Sequence, residues 1–97
     1  MPRIMVIGSK VTTVQRVSRY CLTQGAEVFP YYGIPTDEEI TLFAPQVFVL
    51  CIPMPKDLQY DILQPYILWS EYFVSEGLLF VTSYTDLYAR LQEVLAA

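Results

Sequence analysis

Short apolar runs alternate with longer stretches whose apolar positions recur at helical spacing. The first run, Arg3 to Ile7, ends at Gly8. Val11, Val14, Val17 and Cys21 then repeat every three to four residues as far as Gln24, with Gly25 as a stop, so the pattern predicts a helix. Ala26 to Tyr32 reads as a second strand. Pro30 within it cannot donate a ladder hydrogen bond, which places that strand at an edge of the sheet. Thr36-Asp37-Glu38-Glu39 is a capping box, opening a short helix through Phe43 that Pro45 stops. Gln46 to Ile52 carries six consecutive apolar residues, as a strand covered on both faces should.

The second half is less regular. A Pro53-Met54-Pro55 turn leads into Asp57 to Glu76, read as helical but interrupted by Pro65, with Tyr66, Trp69 and Phe73 on one helical face. Gly77 ends it, Leu78 to Ser83 reads as the fourth strand, and Thr85 caps a last helix with Leu87, Leu91, Val94 and Leu95 on one side. Strands alternating with helices imply a parallel sheet. The expected fold is a single three-layer α/β/α domain over residues 1–97, Rossmann- or flavodoxin-like, with four parallel strands. An edge second strand and a central third strand give the order 2-1-3-4.

That order gives the polar residues a location. The only two lysines, Lys10 and Lys56, each follow one of the clearest buried strands. Ligands of open α/β sheets bind outside the carboxyl ends of the strands, at the point where strand order reverses. Gly8, Ser9, Lys10, Thr12 and Thr13 join a strand to a helix amino terminus, where amides and helix dipole favour anions. Pro53 and Lys56 on the second loop and Ser83 on the third fall at the same edge. The bland alternatives stand beside this: Thr12 or Thr13 as a helix cap, Asp57 and Thr85 as further caps, and solvated lysines. Neither GxxxxGK[ST] nor GxGxxG occurs.

Composition narrows the chemistry. The 97 residues are 54% hydrophobic and 16% charged, too apolar for a disordered chain. Eight tyrosines, five phenylalanines and one tryptophan in so small a domain suggest an aromatic surface that forms a homo-oligomer. The net charge of −4 and the scattered Arg3, Arg16, Arg19 and Arg90 argue against nucleic acid. The absence of histidine removes histidine catalysis and ligation. Cys21 and Cys51 lack the spacing of a zinc or redox pair and are expected at opposite ends of the strands, too far apart for a disulfide. An Asp57–Asp86 carboxylate pair is the remaining acid/base or metal option, and an enzyme is the weakest reading. No signal peptide or membrane span is read, since the apolar stretch Tyr66 to Thr82 is interrupted by Glu71, Glu76 and Gly77; a cytoplasmic setting follows as the expectation.

Ile4 to Gly8, Val17-Ser18-Arg19-Tyr20-Cys21-Leu22 and Gly25-Ala26-Glu27-Val28-Phe29-Pro30 together resemble the opening of small CoA-binding Rossmann-like proteins, and Val47 to Pro53 resembles their later strand. This resemblance implies non-catalytic binding of a phosphate-bearing ligand, of nucleotide or CoA type. The family's further glycines in the first loop are replaced here by Val11, Thr12 and Thr13. Length and element order are also similar to sugar-phosphotransferase IIB domains, which need a phosphorylated cysteine where Gly8-Ser9 stands. A likeness to receiver domains places Cys51 where an aspartate accepts phosphate. Either of these last two implies a chemically inactive relative. A degenerate Rossmann-like scaffold serving as an interaction module is the alternative to ligand binding.

Overall fold

The computed structural model describes residues 1–52, 65–71 and 80–96. Its sheet is built from β1 (Arg3–Ile7), β2 (Glu27–Tyr31), β3 (Val47–Cys51), β4 (Tyr66–Trp69) and β5 (Phe80–Val81), all parallel, in the order β2-β1-β3-β4-β5. The helices are α1 (Val11–Thr23), α2 (Asp37–Phe43) and α3 (Tyr84–Ala96).

The pleat divides the core in two. Ile4 and Val6 of β1, Val47, Val49 and Cys51 of β3, and Ile67 and Trp69 of β4 point to one face. There they pack with Val14, Val17 and Cys21 of α1 and Leu87 and Leu91 of α3. Met5, Ile7, Phe48 and Leu50 point the other way, where Ile40 and Phe43 of α2 and Leu68 lie against them. The sheet thus has helices on both faces, the expected three-layer arrangement. Every residue of β3 is buried, as its apolar run requires for a central strand. β2 is an edge, and Pro30 sits in it opposite Val6 without disturbing an inner ladder.

The short helix forms as its capping box dictates. The Thr36 hydroxyl accepts from the Glu39 amide at 3.1 Å, and Glu39 Oε1 accepts from the Thr36 amide at 3.2 Å. The Tyr31 hydroxyl donates to the same oxygen at 2.9 Å, tying α2 to β2. Ala44 ends α2 in the left-handed region at φ 53, its amide bonded to the Ile40 carbonyl, and Pro45 follows.

Three sequence expectations change. Among the described residues the sheet has five strands where four were expected, because Tyr66–Trp69 is β4, inserted between β3 and the strand expected over Leu78 to Ser83. An apolar run of four is ambiguous between helix and strand. Here Pro65 serves β3, its carbonyl accepting from the Phe48 amide at 3.0 Å. Tyr66 and Trp69 therefore do not lie on a helical face. Second, Ser83 rather than Thr85 caps α3, its hydroxyl accepting from the Asp86 amide at 3.2 Å and its carbonyl from Leu87 at 2.9 Å. Third, neither Thr12 nor Thr13 caps α1; Lys10 holds that position without a side-chain cap. The proline turn at 53–55, Asp57, and Tyr60, Tyr72 and Phe73 lie outside the described residues.

Replacement Thr36→Ala removes the hydroxyl half of the box, leaves the backbone amide of residue 36 on Glu39, and should lower stability by about 1 kcal/mol, read as a shifted urea midpoint. The Thr36 amide, then the Tyr31 hydroxyl, hold the Glu39 carboxyl below its ordinary 4.5. A depressed carboxyl stabilises the fold above its unfolded value and loses that contribution as pH falls through the folded one. Thr36→Ala keeps that amide and the Tyr31 hydroxyl, so both proteins should hold this contribution at neutral pH and lose it on acidification below the ordinary 4.5, whereas Tyr31→Phe should reduce it, as urea midpoints over a pH series would show.

Candidate functional site

The carboxyl edge of the sheet gathers the ends of β1, β3, β4 and β5 and the start of α1. At its centre Gly8 leaves β1, its amide donating to the Tyr31 carbonyl at 3.1 Å. A Cβ at Gly8 would stand 2.8 Å from Val14 Cγ2, 3.0 Å from Cys51 Cβ and 3.2 Å from the Cys51 carbonyl oxygen. The chain exits β1 so close to β3 and α1 that only glycine fits.

Cys51 ends β3 beneath this contact, 1% exposed. Burial first, then the charges of Cys21 and Glu71, push its thiol up to about 12. Burial likewise pushes Cys21 up to about 12. Both are free thiols, protonated at neutral pH and so poor nucleophiles.

Beside Cys51 lies a polar cluster that joins β4 to α1. Thr13, 1% exposed, donates its hydroxyl to Glu71 Oε1 at 3.2 Å, and Arg16 reaches the same oxygen at 3.0 Å. Glu71 and Arg16 read from the sequence only as a charge interrupting an apolar stretch and as one of four scattered arginines. The signal that could have found Glu71 is the strand period: it stands two residues past Trp69, on the same face as Ile67 and Trp69. Reading 66–69 as helix concealed it.

Aromatic rings close the α3 side. Tyr84 stacks on Trp69 with centroids 5.2 Å apart and on Tyr20 at 4.6 Å. Tyr84 and Tyr88, one turn apart on α3, remain 40% and 45% exposed. Burial, then Cys21 and Tyr88, hold the Tyr20 hydroxyl above its ordinary value. The Trp69 indole N–H is buried and has no hydrogen-bond partner.

The residues expected to bind a ligand are only partly brought together. Gly8 is buried, and Ser9, Lys10 and Thr12 are exposed around the first turn of α1. Thr13 faces inward, its hydroxyl directed to Glu71. Ser83 lies at the same edge, its hydroxyl used as the cap of α3. Pro53 and Lys56 lie outside the described residues, so the Lys10–Lys56 crevice and the Asp57–Asp86 pair are not defined. No group of three His, Cys, Asp or Glu among the described residues is placed to hold a metal. An open cleft of about 460 Å³ lies at the opposite, amino edge, lined by Met1, Pro2, Gln46, Gln92, Leu95 and Ala96, with no charged side chain. The chemistry-bearing groups are not there, and the carboxyl edge remains the candidate site. No described helix is long and apolar enough to cross a membrane.

An open parallel sheet in the order 2-1-3-4-5 with helices on both faces defines a flavodoxin-like α/β domain. Among solved structures, the chain is similar to a response regulator receiver protein from Burkholderia phymatum, with a TM-score of 0.71 and 14% identity, over 99% of this chain and 96% of that one. This likeness shows the fold, receiver-like rather than that of the CoA-binding Rossmann proteins the opening motifs resemble. No family model matches the chain, and no curated protein does.

Replacement Gly8→Ala should be destabilising by about 1–3 kcal/mol, since Val14 and the Cys51 backbone would have to move. Chemical denaturation checks this, and an unchanged midpoint would mean that the two strand ends do not approach as described.

Proposed function

We propose that this domain is a non-catalytic interaction module on a receiver-like scaffold, with the carboxyl edge closed to phosphoryl chemistry. One observation carries this reading. The residue at the end of β3, where a receiver comparison puts a phosphate-accepting aspartate, is Cys51, shut in beneath Gly8 with its thiol held protonated. A buried thiol of that kind neither takes up phosphate from a donor nor coordinates a hard cation, which prefers oxygen ligands. The receiver likeness, at 14% identity, supports the scaffold and leaves the chemistry to the residues present.

What remains for function is surface. Tyr84 and Tyr88, with Tyr20 stacked beneath, form an exposed aromatic strip along α1 and α3. Tyrosines of this kind are enriched in protein interfaces. A protein partner, or a second copy of the chain, is the occupant the reading calls for, and two free thiols suit a reducing cytoplasm.

A second reading keeps the phosphate-bearing ligand, nucleotide or CoA in type. It is favoured by the exposed Ser9, Lys10 and Thr12 at a helix start that no side chain caps. Against it, the Glu71 carboxylate already lies over the first turns of α1.

Two measurements separate these readings. Intact-mass analysis after incubation with acetyl phosphate and magnesium should show no phosphoryl addition; a stoichiometric adduct would overturn the first reading. Calorimetric titration with nucleotides, CoA and inorganic phosphate should give no heat. Binding that weakens on replacing Lys10 and Lys56 with Ala would establish the second. Sedimentation over a range of concentrations should show self-association that Tyr88→Ala reduces, if the partner is a second copy.

A further inference from the structure

The contact between β4 and α1 has a position that its chemistry alone does not reveal. Register pairs Cys51 with Trp69 across β3 and β4. Trp69 and Cys51 both face α1 and α3. Glu71, two residues further on, continues that face one pleat beyond them, and its bonds to Thr13 and Arg16 confirm the direction. The carboxylate therefore spans the carboxyl rim of the α1/α3-side core, directly above the layer that holds the Cys51 thiol and the Trp69 indole. It lies near enough to Cys51 for its charge to help raise that thiol, after burial and Cys21.

We infer that Glu71, Thr13 and Arg16 form a strap that closes this rim, and that opening of the strap is the local motion by which water and solutes reach Cys51 and Trp69. Two features make the strap openable. Its outer leg is weak: the Arg16 side chain is 55% exposed, and ion pairs so exposed contribute little and are screened by salt. Its closed state also strands a donor, since the Trp69 N–H is buried without a partner, and opening admits water to it. The inner leg opposes this, because Thr13 is buried and its hydroxyl bonds to a charged acceptor. A closed state held by one buried and one exposed contact, above an unsatisfied donor, is a two-state element that few interactions bias.

The test uses the whole chain in a Cys21→Ala background, so that Cys51 is the only thiol, and follows its labelling by a disulfide reagent under native conditions. The lone Trp69 reports the same rim by its emission. Arg16→Ala and Glu71→Gln should each speed labelling about two- to fivefold, beyond any change in global stability measured by urea, and shift Trp69 emission to the red. Raising salt from roughly 0.05 to 1 M should speed labelling when Glu71 is present and have no such effect in Glu71→Gln. Labelling and emission unchanged in Arg16→Ala, or an equal salt effect with and without the Glu71 charge, would overturn the strap. Should Glu71→Gln fail to fold, Arg16→Ala and the salt series at intact Glu71 still decide.

Discussion

The absence of a side chain at Gly8 is the constraint on which the carboxyl edge depends. A Cβ there would overlap Val14 on α1 and press on both the side chain and the carbonyl of Cys51. Because it is missing, the end of β1, the end of β3 and the second turn of α1 meet in one close-packed contact. In related α/β architectures this is the place where space is left for a ligand or a reacting group. Here Gly8, Val14 and Cys51 fill that contact and Thr13 and Glu71 are satisfied by each other, while Ser9, Lys10 and Thr12 stay exposed.

The rest follows from that closure and from the two-faced sheet. β1, β3 and β4 send alternate residues to opposite layers, so Cys51 and Trp69 fall in the same layer as α1 and α3. Burial there keeps the thiol protonated, and Tyr84 seals the far side by stacking on Trp69. Glu71 and Arg16 bring the charges of the rim into contact with each other instead of leaving them for a ligand. Surface recognition is the role we propose, through the exposed Tyr84 and Tyr88 of α3.

Much of this fold was legible in the chain. The buried run of β3, the proline of β2 and the Thr36–Glu39 box each name their own structure, because burial on two faces, an edge position and a helix start impose distinct residue choices. β4 was not legible. Tyr66-Ile67-Leu68-Trp69 is too short to show a period, and the surrounding stretch has helical spacing. That one misreading also hid the polar contact at the rim, since Glu71 acquires its direction only from strand geometry. At the carboxyl edge the meeting of strand ends and helix starts was legible, and the contacts among its residues were not. Gly8 announced a turn, but its role against Cys51 depends on the adjacency of β1 and β3. The inward direction of Thr13 depends on Glu71, a residue 58 positions away.

Closure of the edge around Cys51 is tested most directly by titrating that thiol. With Cys21→Ala and selectively labelled cysteine, the Cys51 Cβ resonance followed by NMR should show no ionisation as pH passes the ordinary 9.0, and should move only toward about 12, while the sheet amides confirm that the fold persists. A transition near 9.0 in the folded protein would place the thiol in water and contradict the closed edge.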